Sequence, residues 1–226
     1  MPVAGKIFKL TEKISLEEIA EKLSRYKREY EHLETGMKLL TEIKDLALEN
    51  NILSASFCED IVIYKKFRGE IKPIPITLEN KFVFIDVEKA VLLFIVAKKL
   101  RANNVANKLS EIIFLEQGRI VEAEISHETL RALHESDPES SKVIFFDNVD
   151  IPNVDKLSLY GSALANTSLY SEYLKHGKVW YVVFYSSKHN ITIGLTRNCV
   201  VTVFNPIDEE SFLEFALKEV IPLVRI

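Results

Sequence analysis

Between positions 16 and 40 the residues Leu16, Ile19, Leu23, Tyr26, Tyr30, Leu33, Met37 and Leu40 follow one another in steps of three and four. An α-helix turns once in about 3.6 residues, so these steps keep every side chain on one face, with mostly Glu, Lys, Arg and Ser between them. The pattern predicts one long amphipathic N-terminal helix over 15–50. Ser15 and Glu18 have capping-box spacing, Ile14 and Ile19 sit where a hydrophobic staple closes, and Asn50-Asn51 supplies a stop. At about 1.5 Å per residue, about 35 residues would span about 50 Å. A seam that long needs a partner: the chain's own body, a second copy or another protein. A parallel zipper would set Lys22 against Lys27 and Glu29 against Glu34, like against like, so packing within the chain or an antiparallel dimer is the better expectation.

Beyond residue 52 the texture changes to β-branched and aromatic runs at 60–67, 71–76, 81–85 and 90–96, which read as a meander. Pro73 and Pro75 confine their strand to an edge, because proline cannot donate to a ladder. Helical periodicity returns over 98–114, then over 127–136, 168–176 and after Asn205. Further strands are expected at 119–125, 143–146, 179–185, 191–195 and 199–204. The fold class expected is α+β: antiparallel sheet meanders with covering helices, preceded by the long helix. Strands followed by a helix occur at 60–114 and again at 179–221, which suggests two related halves. Asp137-Pro138 marks the best linker, dividing the chain into 1–136 and 137–226.

A chain of 226 residues, 47% apolar and 27% charged, suits one large domain or two small ones. Its net charge of −4 argues against a strongly basic nucleic-acid binder, though a local basic face remains compatible with it. Cys58 and Cys199 form neither a disulfide framework nor a paired metal motif, and an intracellular home is expected. Residues 1–10 lack an apolar signal core, and the most apolar run, 90–97, is too short for a membrane helix. The expectation is a cytoplasmic protein without membrane contact. Gln117 is the sole glutamine, while Ile, Lys and Glu abound, a balance that points to a thermophilic source.

No metal, cofactor or enzyme class is read from the motifs. His127 and His134 are seven residues apart, too far for two ligands on one helix face, which favours an ordinary surface helix with Glu128. Asp147, Asp150 and Asp155 share a loop with Asn148 and Asn153, but no central Gly or closing Glu supports a calcium site. Glycine-rich phosphate loops and a G-x-S-x-G elbow are both absent from the sequence. An enzyme would need a dispersed catalytic set, first sought at Glu59-Asp60, where the acids would also keep Cys58 protonated, and in the loop at 147–155.

The leading functional expectation is therefore a non-enzymatic binding or assembly protein, self-associating or joining a protein partner through the helix stripe. The second is nucleic-acid binding through an aromatic-basic sheet face. Its contact residues would be Tyr64, Lys65, Lys66 and Arg68, with Lys99 and Arg101 of the following helix, and Tyr181, Tyr185, Lys188 and Arg197. Trp180, Val182 and Phe184 weigh against the last group, because they make the other side of that strand apolar too.

Overall fold

The computed structural model describes residues 2–226. Strand accounts for 44% of the chain and helix for 29%, which overturns the helix-led architecture expected from the stripe. The first elements are β1 (Val3–Leu10), α1 (Leu16–Ser24), β2 (Lys27–Glu31) and β3 (Lys38–Glu49). Then come β4 (Ile52–Phe67), β5 (Glu70–Val87), β6 (Ala90–Ile95), α2 (Lys99–Phe114) and β7 (Ile120–Glu122). The chain continues through α3 (His127–Ser136), β8 (Ser141–Asp147), β9 (Leu157–Tyr160), α4 (Ser168–His176) and β10 (Lys178–Ser186). It closes with β11 (Ile191–Thr196), β12 (Val200–Val203) and α5 (Glu209–Phe215).

Only the start of the stripe is helical. Ser15 accepts the Glu18 N–H as its capping role requires, and Leu16, Ile19 and Leu23 form the buried face of α1. From Lys27 onward the chain is a β-hairpin, with Tyr30 opposite Leu39 and Lys27 opposite Glu42. The turn between its strands needs Gly36 at φ 66°, a left-handed position that a helix interior could not supply. Leu33 lies in that turn, fully exposed. The step of three from Ile43 to Leu46 is a β-bulge: Asp45 takes φ 53° and the register shifts between Lys44 and Ala47, so both apolar side chains reach the core. Cross-strand pairing thus overrides the helix propensity of a Lys-, Glu- and Leu-rich segment.

The chain divides into two compact units, Phe8–Val121 and the residues up to Ile7 together with Glu122–Ile226. In the first, β2, β3, β4, β5 and β6 pair in sequence order, each antiparallel to the next. Leu53, Ala55 and Phe57 of β4, with Phe82 and Phe84 of β5, make one apolar face. It is covered by α1 and by Ala102, Val105, Ala106, Leu109 and Ile113 of α2. In the second unit the order is β1, β12, β11, β10, β8, β9, again antiparallel. His127 on α3 accepts the Val179 N–H at 2.7 Å. Asp208, rather than Asn205, caps α5, because Asn205 is engaged by the Thr192 N–H at 2.6 Å.

The repeat expected at 60–114 and 179–221 does not follow structural boundaries. Residue 60 falls inside β4, and the 16- and 18-residue strands β4 and β5 have 9- and 6-residue counterparts in β10 and β11. Among the described residues, no helix is long and apolar enough to cross a membrane.

Two truncations separate the hairpin from the helix first expected there. Phe57→Ala, at a wholly buried site, should cost about 3–5 kcal/mol in urea unfolding, whereas Leu33→Ala should cost less than about 0.5 kcal/mol. A Leu33 penalty above about 2 kcal/mol would restore the helical seam.

Candidate functional site

The long hairpin of β4 and β5 outruns its neighbours. β3 pairs with β4 no further than Thr41 opposite Glu59, and β6 pairs with β5 only from Phe82 to Val87. Asp60 ends the β3 ladder: its Oδ2 takes the Leu40 N–H at 3.0 Å, while Oδ1 accepts from the Thr77 hydroxyl at 2.6 Å. Beyond it, among the described residues, Ile61–Phe67 and Glu70–Ile76 have only each other as strand partners. Six residues at about 3.3 Å each carry this ribbon about 20 Å outward from Ile61 to Phe67. Arg68 at φ 52° and Gly69 at φ 89° close its tip, the left-handed pair that a two-residue hairpin turn requires. Pro73 and Pro75 lie opposite Tyr64 and Val62, as edge residues of β5 should, and deny a further strand a place there.

Residues opposite one another in an antiparallel pair project from the same side. One side of the hairpin therefore carries the consecutive pairs Glu59/Leu78, Ile61/Ile76, Ile63/Ile74, Lys65/Lys72 and Phe67/Glu70. It continues the face that α2 covers further back. Phe67 is 56% exposed, with Arg68 and Lys72 placed 5.2 and 5.7 Å from its ring centroid. Ile71 is 71% exposed and Tyr64 donates to Glu34 at 2.6 Å. Within 64–72, Lys65, Lys66, Arg68 and Lys72 face one carboxylate, Glu70. Lys65 stands directly opposite Lys72, a like-charge pair that the Lys72–Glu70 ion pair at 3.4 Å offsets only in part.

At the ribbon's root Glu59 is buried. Arg101 on α2 donates from Nη1 to Glu59 Oε2 at 2.5 Å and from Nε to Asn80 Oδ1 at 2.7 Å; Lys108 donates to Glu59 Oε1. Burial alone would push the Glu59 carboxyl up, but hydrogen bonds and charge from Lys108 and Arg101 outweigh it and hold the carboxyl below the ordinary range. The second outer guanidinium nitrogen of Arg101, Nη2, is buried without a partner. Arg101, Asn104, Lys108 and Glu111 recur at three- and four-residue spacing and form a polar stripe of α2 beside the apolar one. This stripe walls a groove of about 560 Å³ floored by Ile61 and Leu78, and a smaller hollow of about 250 Å³ opens toward Tyr26, Arg28 and Tyr30.

The expected nucleic-acid contacts are not one face. Tyr64, Lys65, Lys66 and Arg68 sit together on the ribbon, and Lys99 begins α2, whose N-cap residue Lys98 makes no side-chain capping bond. Arg101 is committed to Glu59. The remaining four belong to the other unit and are largely occupied. Tyr181 is half-buried against Phe145, with its hydroxyl over Gly194 so closely that a Cβ there would lie 2.5 Å from it. Arg197 binds Asp147 through two hydrogen bonds of 2.9 and 2.6 Å. Lys188 and His189 share Glu219 at 2.5 and 3.1 Å, and Tyr185 donates to Asn190.

Of the stripe, Leu16, Ile19 and Leu23 are core, Tyr26 and Tyr30 line the smaller hollow, and Leu39 rather than Leu40 is the buried member of its pair. Leu33 and Met37 belong to the turn and its exit. The acidic loop spends its charges on structure, since Asp150 pairs with His176 at 2.8 Å and Asp147 with Arg197. His134 is buried against Ser141 at 2.7 Å instead of lying on a surface helix. Burial raises both thiols, that of Cys199 to about 12. A scan against known protein families and a search of curated proteins both returned no match.

Because the folded carboxyl of Glu59 titrates below its unfolded value, its stabilisation is present above the ordinary carboxylate range and is lost as pH falls through the folded value. Glu59→Gln should therefore cost about 1–3 kcal/mol at neutral pH, and its gap from the parent should shrink below about pH 4. Urea titrations across that range check this; a gap independent of pH would contradict the assignment.

Proposed function

We propose that this chain binds single-stranded nucleic acid along the exposed ribbon of β4 and β5. The observation that carries the reading is the unbroken side of the hairpin, which runs from the Glu59 groove over four isoleucines to Lys65, Lys72 and Phe67. A phosphate chain relieves the repulsion between Lys65 and Lys72, and Phe67 offers a π-face on which any base can stack. Lys99 adds a further cation at the start of α2. In a chain of net charge −4, this concentration of four cations at one tip is a local pole that steers a polyanion. The prolines on the free edge of β5 favour contact through side chains over the addition of another strand. Self-association through a helix stripe has lost its carrier, because residues 27–49 are strands and a turn.

Anisotropy of a labelled oligothymidylate tests the reading. Its affinity should fall with salt at a slope of about 0.7 per neutralised cation, and Lys65→Ala with Lys72→Ala should lower that slope by about 1.4. Phe67→Ala should cost about 1–3 kcal/mol of binding. Retention that ignores salt, or a slope unchanged in the double variant, would contradict the proposal. Equal or stronger capture by anionic phospholipid vesicles, with no competition from the oligonucleotide, would reassign the ribbon to a membrane surface.

A further inference from the structure

The ribbon binds without regard to sequence, since lysines contact phosphate and phenylalanine stacks on any base. The groove at its root has different chemistry. Its carboxylate, Glu59, is already neutralised by Arg101 and Lys108. What it offers a ligand is the carboxamides of Asn104 and Asn107 and an apolar floor of Ile61 and Leu78. Among the described residues, neither asparagine makes a side-chain hydrogen bond, and both stand exposed on the face of α2 that borders the groove. A volume of about 560 Å³ exceeds what one nucleoside fills.

From this geometry we infer that the groove is a base pocket selective for purines, which receives one unstacked base of a strand lying along the ribbon; it rests on the nucleic-acid reading above. A carboxamide places a donor and an acceptor side by side and matches adenine N6 and N7, while its N–H donors match guanine O6 or N7. Pyrimidines lack the N7 acceptor and present a single polar group on that edge. Ile61 is both the floor of the groove and the first residue of the outgoing ribbon, and its side of the hairpin is the one that ends at Phe67. A strand stacked at the tip and followed inward therefore meets the carboxamides without crossing to another surface.

The test compares an oligothymidylate of about twelve nucleotides with the same oligomer carrying one central dA or dG. The intact protein should bind the purine-containing strands about tenfold more tightly. Asn104→Ala with Asn107→Ala, substitutions at exposed helix positions that alanine favours, should reduce that ratio to about one. Lys65→Ala with Lys72→Ala should weaken all strands alike and leave the ratio standing. Equal affinity for all strands in the intact protein, or a ratio that survives loss of both asparagines, overturns the pocket while the ribbon reading stands. A purine preference and a salt dependence both unchanged by loss of Lys65 and Lys72 overturn the ribbon reading, and with it a pocket fed by a strand along the ribbon. Binding of none of the strands overturns both.

Discussion

Every residue of β4 from Ile52 to Phe67 has a partner on β5, and this uninterrupted register is the constraint on which the first unit depends. A slip of β4 by one residue would turn Leu53, Ala55 and Phe57 out of the core and bring Ser56 and Cys58 beneath α2. The same register decides what lies outside the body. Once Leu53, Ala55 and Phe57 are committed to the helices, alternation assigns Glu59 to the helix edge. It then sets Lys65 opposite Lys72 and leaves Phe67 at the tip. Core and candidate interface are successive stretches of one face.

Along that face the balance of forces changes. Near α2, apolar burial at about 25 cal/mol per Å² dominates, and the charge of Glu59 is tolerated because two cations, Arg101 and Lys108, pair with it, Arg101 being held in turn by Asn80. Beyond Ile61 the covering thins, with Ile61, Ile63 and Ile76 only partly buried and Ile74 and Phe67 exposed, so these side chains gain less from folding than the core does and the facing lysines oppose it. Local choices that work against the folded state in this way concentrate where a protein meets a partner. Lys72 pairs with Glu70 at 3.4 Å, but Lys65 still faces a like charge, whereas in the second unit Lys188 and Arg197 each have a carboxylate within hydrogen-bond reach.

Much of this was legible in the sequence, and the failures have specific causes. The alternation of 179–204, the periodicity of α2, the cap at Ser15 and the edge character of Pro73 and Pro75 were all readable, because each depends on neighbours in the chain. The stripe misled because two unrelated events copied helical spacing. A hairpin turn at Gly36 and a bulge at Asp45 each shifted the strand parity, and a period of two with such shifts is indistinguishable from steps of three and four. The Thr35-Gly36 pair between two segments was the signal that could have revealed the turn. The cluster at 64–68 was found because its residues are adjacent; the groove was not, because Glu59 and Arg101 are 42 positions apart and meet only through the packing of α2. Grouping Tyr181 and Arg197 with that cluster failed for the complementary reason, since residue type alone does not say which side chains are already engaged.

The central claim is that one side of the β4 and β5 hairpin is the surface that meets nucleic acid. Photo-crosslinking of a strand containing 4-thiothymidine, followed by mass spectrometry of the digested protein, locates the contact directly. Cross-links should fall within 61–76 and 101–111, with Phe67 prominent among them. Cross-links confined to 122–226 would contradict the account.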